Sequence, residues 1–88
     1  MGDDTTYNGW TNYPTWNIHL WLTNDAGTDE TAREIAQAAD HNCTAGEALR
    51  AYVEEMLPDL GATMASDLLT WAVASANWTE IGEAFREE

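Results

Sequence analysis

The segment Asp40-His41-Asn42-Cys43 brings together the side chains with the most reactive chemistry in this sequence. A carboxylate, an imidazole and a thiol are all zinc ligands, and a thiol beside an imidazole can act as a nucleophile with its base. A zinc site normally draws its ligands from two separated pairs, however, and His19 is the only other histidine. We therefore interpret the segment as a polar connection between two helices. The sequence predicts no metal, no cofactor and no catalytic residue, and thus a protein that is not an enzyme.

Carboxylates supply the second kind of chemistry, which is attraction for cations and basic surfaces. The 88 residues include 16 Asp and Glu but only three Arg and no Lys, so the net charge is −13. Residues 1–44 carry −6 of this charge and residues 45–88 carry −7, so the acidity is spread through the chain. Binding of nucleic acid or of an anionic membrane requires Lys or Arg to replace counterions. The composition argues against both and favours a partner protein with a basic surface.

Two explanations of the acidity remain open. In a salt-rich, halophilic cytoplasm nearly every protein has few lysines and many Asp, Glu, Ala and Thr. Alternatively, a carboxylate surface imitates the phosphates of nucleic acid and occupies a basic site on another protein. The single cysteine and the acidic N-terminus, which lacks an apolar segment, predict a cytoplasmic protein under either explanation.

The stretch from Thr5 to Asn24 contains no charged residue, although it holds three of the five tryptophans. Its apolar residues alternate as in a strand, but no second strand is visible to pair with it, and an unpaired backbone is unfavourable. A helix places Pro14 in the first turn, where its missing N–H is harmless, and lets Gly27 close the end. We therefore predict a helix, preceded by an irregular N-terminal arm over residues 1–12.

The second and third helices are predicted from capping residues and apolar spacing. Thr28 or Asp29 can cap the second helix, which should end near Asp40-His41-Asn42. Thr44-Ala45-Gly46-Glu47 is a capping box that should open the third helix. Pro58 should stop that helix, because proline cannot continue it.

Two more helices complete the predicted fold. The fourth follows Gly61, and Asn77-Trp78-Thr79-Glu80 supplies the capping pattern that opens the last. The prediction is an all-α, compact single-domain bundle of about five short helices over residues 1–88. The inner faces of these helices give the predicted core, which consists of Trp16, Leu20, Leu49, Val53, Leu68, Trp71, Trp78 and Phe85.

Two sets of residues are predicted to contact a partner. Trp10, on the arm, and Trp21, on the flank of the first helix, are expected to be exposed, as aromatic residues at binding hot spots are before a partner binds. Glu80, Glu83 and Glu87 share the outer face of the last helix. Carboxylates at this helical spacing lie ~5–6 Å apart, which is comparable to the spacing of charges along a phosphate backbone.

The N-terminal part of the chain contains the pattern Tyr7-Asn8-Gly9-Trp10-Thr11-Asn12-Tyr13-x-Thr15-Trp16-Asn17-x-x-Leu20-Trp21-Leu22-x-Asn24, and Ala76-Asn77-Trp78-Thr79-Glu80-Ile81 follows near the other end. These two segments resemble the N-terminal signature, NGWxNYxTWNxxLWLxN, and the C-terminal segment of an uncharacterised family of small proteins from phages, plasmids and integrated elements. Pro14 stands where the family often has Glu. The resemblance implies a mobile element inside a prokaryotic host, where small acidic proteins often inhibit restriction or CRISPR defence.

These features together predict a non-enzymatic inhibitor or regulator that binds a basic surface of a host protein and acts as a nucleic-acid mimic. The alternative is a small structural or assembly protein, with a homodimer left open, whose acidity reflects solubility or a halophilic cytoplasm. Added salt should weaken binding in the first case, because it screens long-range attraction. A concentration-dependent oligomer without a host partner would favour the second.

Overall fold

The computed structural model describes residues 6–57, 61 and 63–87. These residues form five helices, namely α1 (Tyr13–Asn24), α2 (Ala26–Ala38), α3 (Asn42–Met56), α4 (Met64–Ser75) and α5 (Trp78–Glu87). The prediction of an all-α bundle is confirmed. Residues 1–5 of the predicted arm, and Pro58 with its predicted stop signal, lie outside the described residues.

The start of α1 is fastened to the junction between α4 and α5. Asn12 caps α1, since its Oδ1 accepts a hydrogen bond from the Thr15 backbone N–H at 3.1 Å, and Pro14 occupies the first turn. The Asn12 side-chain amide donates to the Ser75 carbonyl at 2.8 Å. The fully buried Thr15 accepts, at its Oγ1, a bond from the Asn77 N–H at 2.8 Å. The predicted helix is confirmed, and polar side chains place it.

The turn between α1 and α2 is made by Asp25. This residue has an extended backbone, and its carboxylate accepts a hydrogen bond from the Gly27 N–H at 2.8 Å, which caps α2. The predictions that Gly27 ends α1 and that Thr28 or Asp29 caps α2 are wrong. A carboxylate two residues before an N–H satisfies that donor locally, so the chain turns earlier than the glycine.

The start of α3 also differs from the prediction. The helix begins at Asn42, and His41 at its N-cap position makes no side-chain capping bond. Thr44, the predicted cap, is therefore already inside the helix. Arg86 of α5 stabilises the earlier start, because its Nη1 donates to Asn42 Oδ1 at 2.7 Å and its Nη2 to the Asp40 carbonyl at 3.3 Å.

The helices α3 and α5 cross at two buried glycines. A Cβ atom on Gly82 would lie 2.8 Å from both the Asn42 carbonyl oxygen and the Gly46 nitrogen. A Cβ atom on Gly46 would collide with the backbone carbonyl of Trp78. The two backbones are therefore in direct contact, and the core is built around this crossing.

The core contains apolar residues from all five helices. Its buried members are Leu22, Ala32, Ala36, Ala45, Leu49, Val53, Val73, Trp78, Ile81 and Phe85. Four predicted core residues, namely Leu49, Val53, Trp78 and Phe85, belong to this set. Trp16 and Leu20 are half-buried. The ring of Trp16 instead lies 4.7 Å from that of Tyr7 and 5.4 Å from that of Tyr13, in an aromatic cluster beside the core.

The prediction that Leu68 and Trp71 belong to the core is wrong, because each keeps 59% of its surface exposed. Bonds at its C-terminal end fix the rotation of α4. The Trp78 indole N–H donates to the Val73 carbonyl at 2.8 Å, and Asn12 holds the carbonyl of Ser75. This turns Val73 inward, and residues two and five positions before it then lie on the outer side of the helix.

The helices are short. The longest, α3, has 15 residues, whereas a transmembrane helix needs ~20 apolar residues. Within the described ranges, no helix combines the length and the apolar character that crossing a bilayer requires.

Candidate functional site

Four of the five residues predicted to contact a partner line one surface cleft. Its walls are the turn that carries Trp10 and the outer face of α5, and its lining residues are Gly9, Trp10, Glu80, Glu83, Ala84 and Glu87. This acidic cleft has a volume of about 290 Å³. Glu83 and Glu87 are exposed, whereas Trp10 and Glu80 are half-buried. The structure therefore brings together the carboxylates and one of the two tryptophans.

A two-residue hairpin turn places Trp10 at the cleft. The Tyr7 N–H donates to the Trp10 carbonyl at 2.9 Å, and the Trp10 N–H donates to the Tyr7 carbonyl at 2.8 Å. Asn8 and Gly9 between them have φ angles of 49° and 86°. A type I′ turn requires positive φ at both central residues, and Asn-Gly adopts this conformation readily. Within the predicted irregular arm, residues 7–10 therefore form a turn that two backbone hydrogen bonds close.

Trp10 is half-buried, so the prediction that it is exposed is wrong. Its ring centroid lies 4.6 Å from that of His19, and His19 lies 5.0 Å from the fully buried Phe85. This stack ties the turn to α1 and α5. Trp10 nevertheless keeps part of its surface accessible and is one of the residues that line the acidic cleft. Removal of Trp10 should consequently disturb the fold as well as the cleft.

Glu80 links the arm to α5. The Asn77 Oδ1 accepts the Glu80 N–H at 3.1 Å, so the predicted cap at the start of α5 is confirmed. The Glu80 carboxylate does not return to the Asn77 N–H, which binds Thr15. It accepts the N–H of Thr11 at 2.9 Å. Glu80 therefore orders the cleft, and Glu83 and Glu87 supply its exposed carboxylates.

The described residues that line the cleft include no basic side chain. The three arginines of the chain are engaged elsewhere. Arg33 Nε lies 3.1 Å from an oxygen of Asp29, and Arg50 Nε lies 3.3 Å from an oxygen of Glu54. Arg86 binds the start of α3. The cleft therefore combines uncompensated carboxylates with an indole, an arrangement that suits a lysine or arginine side chain from a partner.

A second surface has different chemistry. Five large apolar side chains of α1, α3 and α4 are exposed, and we call them the apolar face; they are Trp21, Met56, Met64, Leu68 and Trp71. Trp21 and Met56 line one groove, and the other three lie on α4, whose Leu69 and Ala72 line the same groove. Trp21 keeps 64% of its surface exposed and Met64 keeps 78%. The prediction that Trp21 is exposed is confirmed, but this residue does not line the acidic cleft.

The apolar face opens into a groove of about 330 Å³ between α1 and α4. Ile18 and Trp21 line it from α1, Leu69 and Ala72 from α4, and Met56 from α3. Apart from Asn17, the residues that line the groove are apolar, and they come from three helices and from Leu57, which follows α3. A groove of this kind accepts an apolar side chain from another molecule.

The apolar face is the surface that reasoning from the sequence missed. A signal for it existed, because α4 carries apolar residues on two sides, with Leu69 and Val73 on one and Leu68 and Trp71 on the other. A helix at the edge of a small bundle can bury only one such stripe. The second stripe therefore had to lie on the surface.

The segment Asp40-His41-Asn42-Cys43 forms the connection from α2 to α3. Cys43 is exposed, and its Sγ lies 3.9 Å from a carboxylate oxygen of Glu47. His19, the other histidine, stacks on Trp10, with ring centroids 4.6 Å apart. In the part of the chain that the structure describes, no three His, Cys, Asp or Glu residues are placed to hold a metal ion.

The chain belongs to a family of unknown function (DUF7249), whose model matches residues 3–88. A search of the curated proteins and a search of the solved structures each found no match. The prediction of membership in an uncharacterised family is thereby confirmed. An origin in phages and plasmids stays a prediction.

Proposed function

We propose from the surface chemistry that this chain, whose family is one of unknown function, is a non-enzymatic protein-binding module. It places the acidic cleft and the exposed carboxylates of α5 on a basic surface of a nucleic-acid-handling protein. There it competes with nucleic acid and acts as an inhibitor or regulator. The observation that carries the proposal is the cleft, in which Trp10 stands beside Glu80, Glu83 and Glu87.

The net charge attracts a basic partner over long distances, whereas individual side chains of the cleft make the contacts once the partner is bound. A net charge of −13 on 88 residues draws the molecule toward a basic groove before contact. Glu83 and Glu87, one helical turn apart, then accept charge-assisted hydrogen bonds from Lys or Arg side chains. A cation over the indole of Trp10 adds ~0.5–1 kcal/mol at a surface site. The cleft can therefore bind the side chains that otherwise bind phosphates.

Rigidity supports the same proposal. The Thr11–Glu80 hydrogen bond of 2.9 Å and the stack of Trp10 on His19 hold the two walls of the cleft together. A preorganised surface loses less conformational entropy on binding than a flexible acidic tail does. The acidic cleft therefore has the character of a formed recognition surface.

The resemblance to proteins of phages and plasmids supports a particular class of target. Host restriction and CRISPR proteins act on nucleic acid, so their binding grooves must be basic. A mobile element would gain from a protein that fills such a groove in the host cytoplasm. The proposed class is accordingly an anti-restriction or anti-CRISPR inhibitor.

The apolar face favours a second candidate function, that of a small assembly module whose acidity serves solubility or a salt-rich cytoplasm. An exposed patch of this kind marks an association surface on a soluble protein. The two functions use different residues, so each can be tested with substitutions that leave the other surface intact.

Competition with nucleic acid tests the leading proposal. Purified host restriction and CRISPR proteins are bound to labelled duplex DNA, and increasing amounts of this chain are added at low and at high salt. We expect it to displace the DNA from a member of this panel, and to do so less effectively at high salt, because salt screens attraction between charges. Failure to displace DNA from any of them would contradict the proposal.

A matched pair of variants locates the surface. Glu83→Lys with Glu87→Lys reverses two exposed carboxylates of the cleft and should weaken displacement at least ~10-fold, mainly through a slower association rate. Glu30→Lys with Glu34→Lys reverses two exposed carboxylates, also four residues apart, on α2. Equal losses in the two variants would mean that net charge alone acts, and that the acidic cleft is not the site.

A further inference from the structure

We propose that the apolar face binds a second copy of this chain, giving a symmetric dimer through α1 and α4. The proposal deepens the second candidate function, that of an assembly module, and does not rest on the leading one, since the acidic cleft and the apolar face share no residue. Three observations carry it, namely the size of the exposed patch, the distribution of charge, and the groove beside the exposed ridge of α4.

The first observation is the amount of apolar surface. Trp21 and Trp71 are 64% and 59% exposed. Because a buried tryptophan removes ~150–250 Å² from water, these two rings alone expose on the order of 200–300 Å². Met56, Met64 and Leu68 enlarge the patch. The largest patch on an ordinary monomer measures ~300–600 Å² and is often functional, so the exposed apolar area of this face reaches the range in which a binding role is common.

The second observation identifies the occupant. The chain has 16 acidic residues, yet α1 has no charged residue and α4 has only Asp67. A basic partner would gain from carboxylates at its contact surface, because they attract Lys and Arg side chains. A second copy carries the same charge of −13, so carboxylates on both sides would repel each other. A nearly charge-free face in so acidic a molecule therefore suits a second copy.

The third observation is that this face has complementary parts. Leu68 and Trp71 form an exposed ridge on α4, and the apolar groove of about 330 Å³ lies between α4 and α1. A twofold axis places the ridge of each copy against the groove of the other, which makes the contact self-complementary. Two layers, each made of α1 and α4, would then pack as a four-helix arrangement.

The dimer also accounts for the uncharged segment from Thr5 to Asn24. Residues 7–10 of this segment form the turn beside the acidic cleft. Its helical part, α1, lines one side of the apolar groove. A carboxylate buried between two copies would lose its hydration without gaining a cationic partner. Absence of charge is thus required at the interface as well as in the core.

Sedimentation velocity or light scattering over a wide concentration range tests the proposal. We expect a concentration-dependent dimer for the wild type. Leu68→Glu should lower the association constant at least ~100-fold, because each copy would bury a new carboxylate in the contact. The side chain of Leu68 is exposed in the monomer, so the helical circular dichroism spectrum should be unchanged. Ala51→Glu, which adds the same charge at an exposed position of α3, should dimerise like the wild type.

The dimer contact and the binding of a basic protein should respond to salt in opposite directions. Screening of repulsion between two copies of charge −13 should strengthen the dimer as salt rises, whereas it should weaken the displacement of DNA. A wild type that stays monomeric at the highest concentration in both low and high salt would overturn the proposal. So would a Leu68→Glu variant that dimerises as well as the wild type. Neither result would decide whether the acidic cleft binds a host protein.

Discussion

At the scale of single residues, the Thr15 hydroxyl holds together two parts of the chain that are far apart in sequence. It donates to Asn12 Oδ1 at 2.6 Å and accepts the N–H of Asn77 at 2.8 Å, and the side chain is fully buried. Thr15→Val keeps the shape but leaves the Asn77 N–H without its acceptor. We expect a loss of ~1–3 kcal/mol in the free energy of unfolding, measured by urea denaturation.

Thr23→Val is the matched control for this prediction. The Thr23 hydroxyl donates only within its own helix, to the carbonyls of His19 and Leu20 at 2.9 and 3.1 Å. Such bonds add little to a helix, so the loss should stay within ~0.5 kcal/mol. Equal losses in both variants would show that the link to Asn77 contributes nothing distinct.

The tryptophans provide a second prediction at this scale. Trp78 is buried, with its indole N–H bound to the Val73 carbonyl at 2.8 Å, whereas Trp71 is 59% exposed. Trp78→Ala should lose ~3–5 kcal/mol, enough to unfold a domain of marginal stability. Trp71→Ala should leave the melting temperature unchanged at concentrations where the protein is monomeric. Differential scanning calorimetry of both variants decides, and a large loss for Trp71→Ala would place that ring in the core.

At the scale of the elements, the crossing of α3 and α5 depends on the absence of a side chain at Gly82. A methyl group there would lie 2.8 Å from the Asn42 oxygen and from the Gly46 nitrogen. Alanine favours an isolated helix by ~1 kcal/mol over glycine. We nevertheless expect Gly82→Ala to destabilise the protein by ~1–3 kcal/mol in thermal unfolding, because backbone atoms must move apart.

Gly27→Ala provides the comparison. The nearest atom to a Cβ on Gly27 is the Asp25 Oδ1 at 3.2 Å, which belongs to a side chain that can shift. The change in stability should therefore remain within ~0.5 kcal/mol. A Gly82→Ala variant that is more stable than the wild type would show that α3 and α5 are not in close backbone contact at this position.

Capping residues and apolar spacing allowed the sequence to predict that five helices form. They did not predict where all of these helices begin and end. Asn77 caps α5 as predicted, because the capping bond lies within four residues. The start of α3 at Asn42 depends on Arg86, which is 44 residues away. The outward direction of Trp71 likewise depends on bonds made at Val73 and Ser75. Contacts between distant residues have no periodic signal in a single sequence, so these features could not be predicted from spacing.

At the scale of the whole molecule, the acidic cleft and the apolar face are two separate surfaces with different proposed partners. The sequence correctly grouped Glu80, Glu83 and Glu87 on one helix, because a helical repeat fixes that face. It could not show that Trp10 joins them, since a hairpin turn and the stack on His19 bring this residue to α5. The apolar face could not be predicted either, because the sequence does not show which of the two apolar stripes of α4 packs into the core.

The last prediction concerns the net charge of −13, which should destabilise the folded monomer through repulsion among its own carboxylates. Added sodium chloride should therefore raise the melting temperature at concentrations where the protein is monomeric. The triple variant Glu34→Gln, Glu47→Gln and Glu55→Gln removes three exposed charges and should melt higher at low salt and respond less to salt. Replacement of the same three residues by Asp retains the charge and should keep the response of the wild type. A melting temperature independent of salt would show that the charges are too far apart to repel, whereas unfolding at low salt alone would favour adaptation to a salt-rich cytoplasm.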